Sequence, residues 1–215
     1  ADIPQLRKAF DEGLDIHAMT ASEMFGVPIE GMPGEVRRRA KAINFGIVYG
    51  MSQHRLAAEQ GMSRTEAKKF IDAYFERFQG VQAYIERIRD EARRDGAVRT
   101  LFGRVRYFPQ LQRKVNRAVQ EQAMRAAVNT TVQGTAADIM KQAMIDLHAR
   151  LRLCSARSRI LLQVHDELVL EAPEDELTDA ARLTREVMSN AYKLRVPLKV
   201  DVEVGQNWLE MEKFS

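Results

Sequence analysis

Apolar residues recur at helical spacing along most of the chain and switch to alternation in three short stretches. Near the start, Ile3, Leu6, Phe10 and Leu14 are spaced to share one face of a short helix. Asp15-Ile16-His17 then opens a second helical pattern from Met19 to Phe25, and the Gly/Pro-rich run from Pro28 to Gly34 reads as a connection. The next segment, Glu35 to Gly50, reads EVRRRAKAINFGIVYG. At about 100° per residue, Val36, Ala40, Ile43 and Ile47 make a narrow stripe that predicts the buried face. Arg37, Lys41, Asn44, Phe45, Val48 and Tyr49 fall on the other side, with Phe45 almost opposite the core stripe.

Further along, Ser63 and Glu66 have capping-box spacing, and Ala67, Phe70, Ile71, Tyr74 and Phe75 carry a helix from Arg64 to Phe78. Another follows Gly80 through Val81, Tyr84, Ile85 and Ile88 and stops near Gly96. From Val98 to Phe108 the period changes to alternation around a Phe102-Gly103 turn, predicting a basic β-hairpin whose arginines suit either phosphate contact or edge protection. Val115 to Leu151 is helical again, with an expected break near Thr130 and Gly134. Arg125, Asn129 and Gln133 recur there every four residues. Arg159 to Glu171, RILLQVHDELVLE, predicts a hairpin of two buried strands with His165-Asp166-Glu167 at its tip. A helix from Glu174 to Tyr192 and an alternating strand from Leu198 to Gly205 complete the pattern.

Composition narrows the class. The chain has 215 residues, 45% apolar and 29% charged, with no apolar run near 18 residues and no signal peptide, so no membrane span is expected. One cysteine, Cys154, permits no internal disulfide and fits a reducing, cytoplasmic compartment. A start at Ala1 rather than Met suggests a beginning inside a larger protein. The net charge of +3 is too small to diagnose a polyanion partner, but its distribution is uneven. Tyr84 to Arg117 carries ten Lys or Arg against four acids, whereas Asp166 to Ser215 carries six against twelve.

The outward face of the 35–50 helix has a chemical layout of its own. Arg37 and Tyr49 lie roughly 18 Å apart along the axis, cations at one end and aromatics at the other. A nucleoside triphosphate matches that layout, although solvated charges beside two packed aromatics on a surface helix match the periodicity too. Gly46 and Gly50 each weaken a helix by about 1 kcal/mol, and their expected use is room for a ligand stacked beside Phe45 or Tyr49. At the other end, an Asp in a tight turn is ordinary, but an acidic pair closing two buried strands would need a cation.

The string Arg37, Lys41, Phe45, Tyr49-Gly50, with its Asn44-Phe45-Gly46 core, resembles the nucleotide-binding helix of the family A DNA polymerases, the bacterial DNA polymerase I type. VNTTVQGTAAD and VHDE resemble further segments of that family, so the likeness runs over essentially the whole chain. It implies an α+β fold: a helix-rich fingers subdomain over residues 1–122 and the C-terminal part of an antiparallel-sheet palm over 123–215, an incomplete right hand. The nucleotide-binding helix would span 35–50 and the HDE hairpin 159–172.

The resemblance also implies roles. His17, Arg37, Lys41, Phe45 and Tyr49 would bind the deoxynucleoside triphosphate, with Lys41 protonating the leaving group. Arg125, Asn129, Gln133 and His165 would contact primer-template DNA, where minor-groove acceptors are similarly placed in every pair. Asp166 would be a metal-binding catalytic carboxylate, with Glu167 beside it and two Mg²⁺ ions in the complete enzyme. The family's second aspartate lies on an Asp-Tyr-Ser-Gln-type strand that is not found here. The partners would therefore include the upstream palm and thumb, and the chain alone is expected to be inactive. Two other readings remain open: a single-subunit RNA polymerase, against which Asn44-Phe45-Gly46 argues, and a non-catalytic nucleic-acid-binding module.

Overall fold

In a computed structural model the described residues are 3–154 and 156–214. They form eight α-helices and three separate two-stranded antiparallel sheets. The chain divides into two compact units, Ala1–Val132 and Gln133–Ser215.

The first unit is built on α1 (Pro4–Asp11), α2 (Ile16–Phe25), α3 (Gly34–Val48), α4 (Gln53–Gln60), α5 (Arg64–Arg77) and α6 (Gln79–Asp95). The hairpin of β1 (Ala97–Arg99) and β2 (Val105–Tyr107) completes it, with the first half of α7 (Arg117–Leu153). Its core joins Ile43 and Ile47 of α3 to Leu56, Tyr74, Phe78, Ile85, Ile88, Phe108 and the Met124, Ala127 and Val128 stripe of α7. Local signals set the helix ends. Asp15 accepts from the His17 and Ala18 amides at 2.9 and 3.0 Å, capping α2. Ser63 and Glu66 form the full capping box of α5.

Three expectations fail here. Only Ile3 and Leu6 of the first stripe reach the core; within α1 Ala9 is buried and Phe10 is exposed, and Leu14 lies past the helix end at Asp11 and the left-handed Gly13. No break interrupts α7, a single helix of 37 residues. The hydroxyls of Thr130 and Thr131 donate back to the carbonyls of Ala126 and Val128 at 2.7 Å each, so the β-branched pair sits inside the helix with its polar atoms satisfied. The basic stretch is partly spent within the protein: Arg93 and Arg94 pair with Asp90 and Asp95, and Arg87 lies over Tyr84. Arg106 stacks on Phe108 and donates to Thr130.

The third concerns Gly46 in α3 and Gly50 just past its end. A Cβ on Gly46 would sit 2.4 Å from Met51 Cε, and Gly50 has φ +78°. Gly50 N–H donates to Ile47 O at 3.0 Å and Met51 N–H to Gly46 O at 2.7 Å. This is a Schellman termination with its hydrophobic contact, Met51 folded over Gly46. Gly46 thus stays inside the helix and seats a methionine, and Gly50 ends the helix.

In the second unit, β3 (Arg159–Val164) pairs with β4 (Glu167–Glu171), α8 spans Leu177–Ser189, and β5 (Glu203–Asn207) pairs with β6 (Glu210–Lys213). A small core joins Leu147 and Leu151 of α7, Val187 of α8 and Ile160, Leu168 and Leu170 of the hairpin. The β3 and β4 strands are therefore covered on one face only; Leu161 and Leu162 are each 50% exposed, against the expectation of buried strands. A two-stranded ribbon has one core to lean on, and a bulge between Ile160 and Leu162 turns both leucines outward. The helix expected to reach Tyr192 stops at Ser189. The strand expected at Leu198–Gly205 forms only from Glu203, where β6 pairs with it; Phe214 N–H still donates to Val202 O at 2.8 Å, and residues 198–201 take no strand partner among the described residues. Among the described residues no helix is long and apolar enough to cross a membrane.

Candidate functional site

The outer face of α3 gathers five of the residues singled out in the sequence. Phe45 is 45% exposed, and Tyr49 stacks against it at 6.1 Å between centroids with the planes 10° apart. His17, from α2, contacts the other end of that row at 5.5 Å. The ammonium of Lys41 lies 6.0 Å from the Phe45 ring and, among the described residues, takes part in no ion pair. Arg37 gives its Nε–H to the Asp15 carboxylate, which leaves the guanidinium its Nη donors. One wall thus carries a flat aromatic surface beside a lysine, an arginine and an imidazole.

Its electrostatics follow from these neighbours. Burial disfavours charging Asp15, yet Arg37 and the α2 amides outweigh that and hold its carboxyl below the ordinary value. His17 is also held down, first by its own burial and then by Arg37 and Lys41, with Asp15 opposing. The ring is therefore neutral near pH 7. Asn44, expected on the outer face, points inward instead at 6% exposure; its Nδ2 lies 3.1 Å from His17 Nδ1 and 3.0 Å from Thr20 Oγ1.

Beside the aromatic row opens a cleft of about 540 Å³, lined by Phe45, Tyr49, Gly50, Met51, Arg125 and Asn129. Arg125 and Asn129 of α7 thus meet the α3 aromatics within the first unit. Asn129 lines this cleft, while its Oδ1 is buried and has no hydrogen-bond partner among the described residues. Gln133, one turn further along α7, belongs to the second unit and is exposed.

The second unit holds the acidic tip. Val164 pairs with Glu167, so His165 and Asp166 are the two loop residues, and His165 takes φ +53°, rare for a side-chain-bearing residue. The Gln163 amide bridges to His165 O at 2.6 Å and braces the turn. His165, Asp166 and Glu167 are all exposed, and among the described residues neither carboxylate enters an ion pair. No group of three or more His, Cys, Asp and Glu that could hold a metal occurs among the described residues. Asp166 and Glu167 are adjacent exposed acids, and Mg²⁺ is an ion that takes only one or two carboxylates, with water and phosphate oxygens filling its shell.

Comparison with known proteins decides the family. The model of DNA polymerase family A matches residues 1–210. The chain belongs to the family A DNA polymerases. It is 52% identical over 208 residues to the thermostable DNA polymerase I of Thermus aquaticus, covering 97% of this chain and 25% of that protein. It is 50% identical over 216 residues to DNA polymerase I of Rhizobium leguminosarum, covering 98% of this chain and 21% of that one. The POL domain of Pol1 from M. smegmatis, solved in complex with DNA primer-template and dNTP, matches with a TM-score of 0.88 at 47% identity. That match covers 92% of this chain and 35% of the other. The chain thus spans about a quarter of the length of its curated polymerase relatives.

Two features of this family A segment escape a reading of periodicity. Asp15 orients Arg37, a link foreshadowed only by an acid just before a helix. Met51 closes the cleft floor over Gly46, and nothing local announces it.

Proposed function

We propose that this chain is the nucleotide-binding part and one catalytic end of a template-dependent DNA polymerase. Residues 1–122 would serve as fingers and 123–215 as part of the palm. The observation that carries the reading is the contiguous row of His17, Lys41, Phe45 and Tyr49, opening onto a cleft shared with Arg125 and Asn129.

In the reaction, a primer 3′-hydroxyl attacks the α-phosphorus of a deoxynucleoside triphosphate and pyrophosphate leaves. Arg37 and Lys41 neutralise the triphosphate, and Lys41, an ammonium with no competing acid, donates a proton to the departing pyrophosphate oxygen. His17, neutral near pH 7, adds an N–H to a phosphate oxygen. Phe45 offers its exposed face to sugar and base, while Tyr49 fills the neighbouring place where a template base would stack. Arg125, Asn129 and Gln133 present guanidinium and amide groups every turn of α7, a spacing suited to testing minor-groove acceptors without reading sequence. His165 contacts the primer end.

Asp166, with Glu167 beside it, would hold magnesium, which would supply positive charge to offset the charge that develops in phosphoryl transfer. The Asp166 turn supplies carboxylates unencumbered by protein cations, and the remaining ligands come from substrate, water and other parts of a polymerase. The site works on primer-template DNA in the cytoplasm.

A chimera tests this directly. The matching quarter of the Thermus aquaticus enzyme is replaced by this chain, and primer extension is measured with and without Asp166→Asn. Extension by the chimera, lost in the variant while primer-template binding persists, is expected. Extension unaffected by Asp166→Asn would favour a non-catalytic binding role and end the proposal.

A further inference from the structure

Asn44 is the polar residue of α3 that turns inward, and its bonding fixes more than packing. Thr20 is 1% exposed, and its hydroxyl gives its proton to Ile16 O at 2.8 Å. Toward Asn44, Thr20 Oγ1 can therefore only accept, and this forces the amide nitrogen rather than the oxygen to face it at 3.0 Å. The second hydrogen of the same NH2 group is directed at His17 Nδ1, 3.1 Å away. The other end of the amide, Oδ1, is buried with no partner, as expected of a side chain held in place for its donor end.

A nitrogen that accepts from an amide carries no proton. A neutral imidazole has one proton, and with Nδ1 occupied as acceptor it resides on Nε2. We propose that Asn44, oriented by Thr20, is a positioning residue that locks His17 in the Nε2–H tautomer and so presents an N–H donor, not a lone pair, to a phosphate oxygen. The opposite tautomer would point an acceptor at an anion and repel it. Burial, Arg37 and Lys41 keep the ring neutral against the pull of Asp15, and in the neutral ring tautomerism decides its chemistry. The inference rests on the triphosphate reading of this face only for its consequence. The tautomer itself is a property of the unliganded chain.

The test uses the 215-residue chain labelled with ¹⁵N at pH 8. Long-range ¹H–¹⁵N correlation spectra report which ring nitrogen of each of the four histidines is protonated, with His17 assigned by His17→Gln. Expected is a single Nε2–H form in the wild type and a shift toward Nδ1–H in Asn44→Asp, whose carboxylate can only accept. Thr20→Val, which frees the amide to turn over, gives a mixture. A proton on Nδ1 in the wild type overturns the proposal, and so does an unchanged Nε2–H form in both Asn44→Asp and Asn44→Ala. The wild-type spectrum alone suffices if a variant fails to fold. Inorganic tripolyphosphate is then titrated in. Asn44→Ala is expected to bind it about twofold more weakly where the ring falls to an even mixture of tautomers, because only the Nε2–H fraction binds. An Nε2–H ring together with unchanged affinity in His17→Gln would refute the triphosphate reading and leave the positioning role standing.

Discussion

Exchanging Gly46 and Gly50 for alanine separates backbone strain from side-chain crowding. Gly46 is helical, so alanine there gains about 1 kcal/mol of helix propensity. Its Cβ, however, would lie 2.4 Å from Met51 Cε and 2.9 Å from Sδ. Those atoms end a flexible side chain, so Met51 swings away and forfeits about 1–2 kcal/mol of apolar burial. The two effects nearly cancel. Gly50 is different: φ is +78° and a new Cβ would stand 3.1 Å from Arg125 Cγ. A left-handed alanine costs about 1–2 kcal/mol with no propensity gained, and each 1 kcal/mol moves the melting temperature of a chain this size by about 2–4 °C. Thermal melts followed by circular dichroism should therefore put Gly50→Ala about 2–8 °C below wild type and Gly46→Ala within about 3 °C of it. In a Met51→Ala background nothing remains to displace, and Gly46→Ala should raise stability by about 1 kcal/mol. Equal cost for Gly46→Ala with and without Met51, or a harmless Gly50→Ala, would refute the assignment of their roles.

Glu176 accepts from Ser158 Oγ and from the Arg157 and Ser158 amides, and with Arg157 these bonds lower its carboxyl to about 2. Such a depressed acid stabilises the fold above its unfolded value near 4.5 and loses that contribution as pH falls toward about 2. The melting-temperature gap between wild type and Glu176→Gln should thus be widest above pH 5 and close by pH 2; a gap independent of pH would count against it. Gly205→Ala would place a Cβ 2.0 Å from the backbone carbonyl oxygen of Glu210, where no side chain can yield. A loss of about 1–3 kcal/mol in denaturant unfolding is expected, and an unaltered midpoint would contradict the tight β5–β6 crossing. Ser63→Ala breaks the α5 capping box and should cost about 1 kcal/mol, read from the same denaturation curves.

Much of this was legible because it is local. Asp15 and Ser63 announce helix starts within three residues, the 35–50 stripe buries Ala40, Ile43 and Ile47, and RILLQVHDELVLE folds as a hairpin, although Glu167, expected at its tip with His165 and Asp166, opens β4 and pairs with Val164. Asn44 lies on the flank of the α3 stripe, about 80° round from Val36, where periodicity does not decide its side, and Thr20 and His17, 24 and 27 residues away in sequence, turn its amide inward. Thr130 and Gly134 weaken a helix in isolation, but packing of Met124, Ala127 and Val128 and the back-bonded hydroxyls carry α7 through. The alternation of Leu198 to Val202 is as regular as that of β5, yet a strand exists only where a second chain segment completes its ladder. Likewise, no spacing rule brings Arg125 beside Gly50, since only the folded core sets α7 against the end of α3.

The claim on which the function depends is that the outer face of α3 binds a triphosphate. Titration of inorganic tripolyphosphate and of dATP into the chain, without divalent metal, tests it through the amide spectra of α2 and α3. One charge-assisted contact is worth about 1.5–3 kcal/mol, so Lys41→Ala should weaken both ligands about ten- to hundredfold, while Asp166→Asn leaves them unchanged. Equal affinity for wild type and Lys41→Ala, or perturbations that bypass His17, Arg37 and Phe45, would contradict the account.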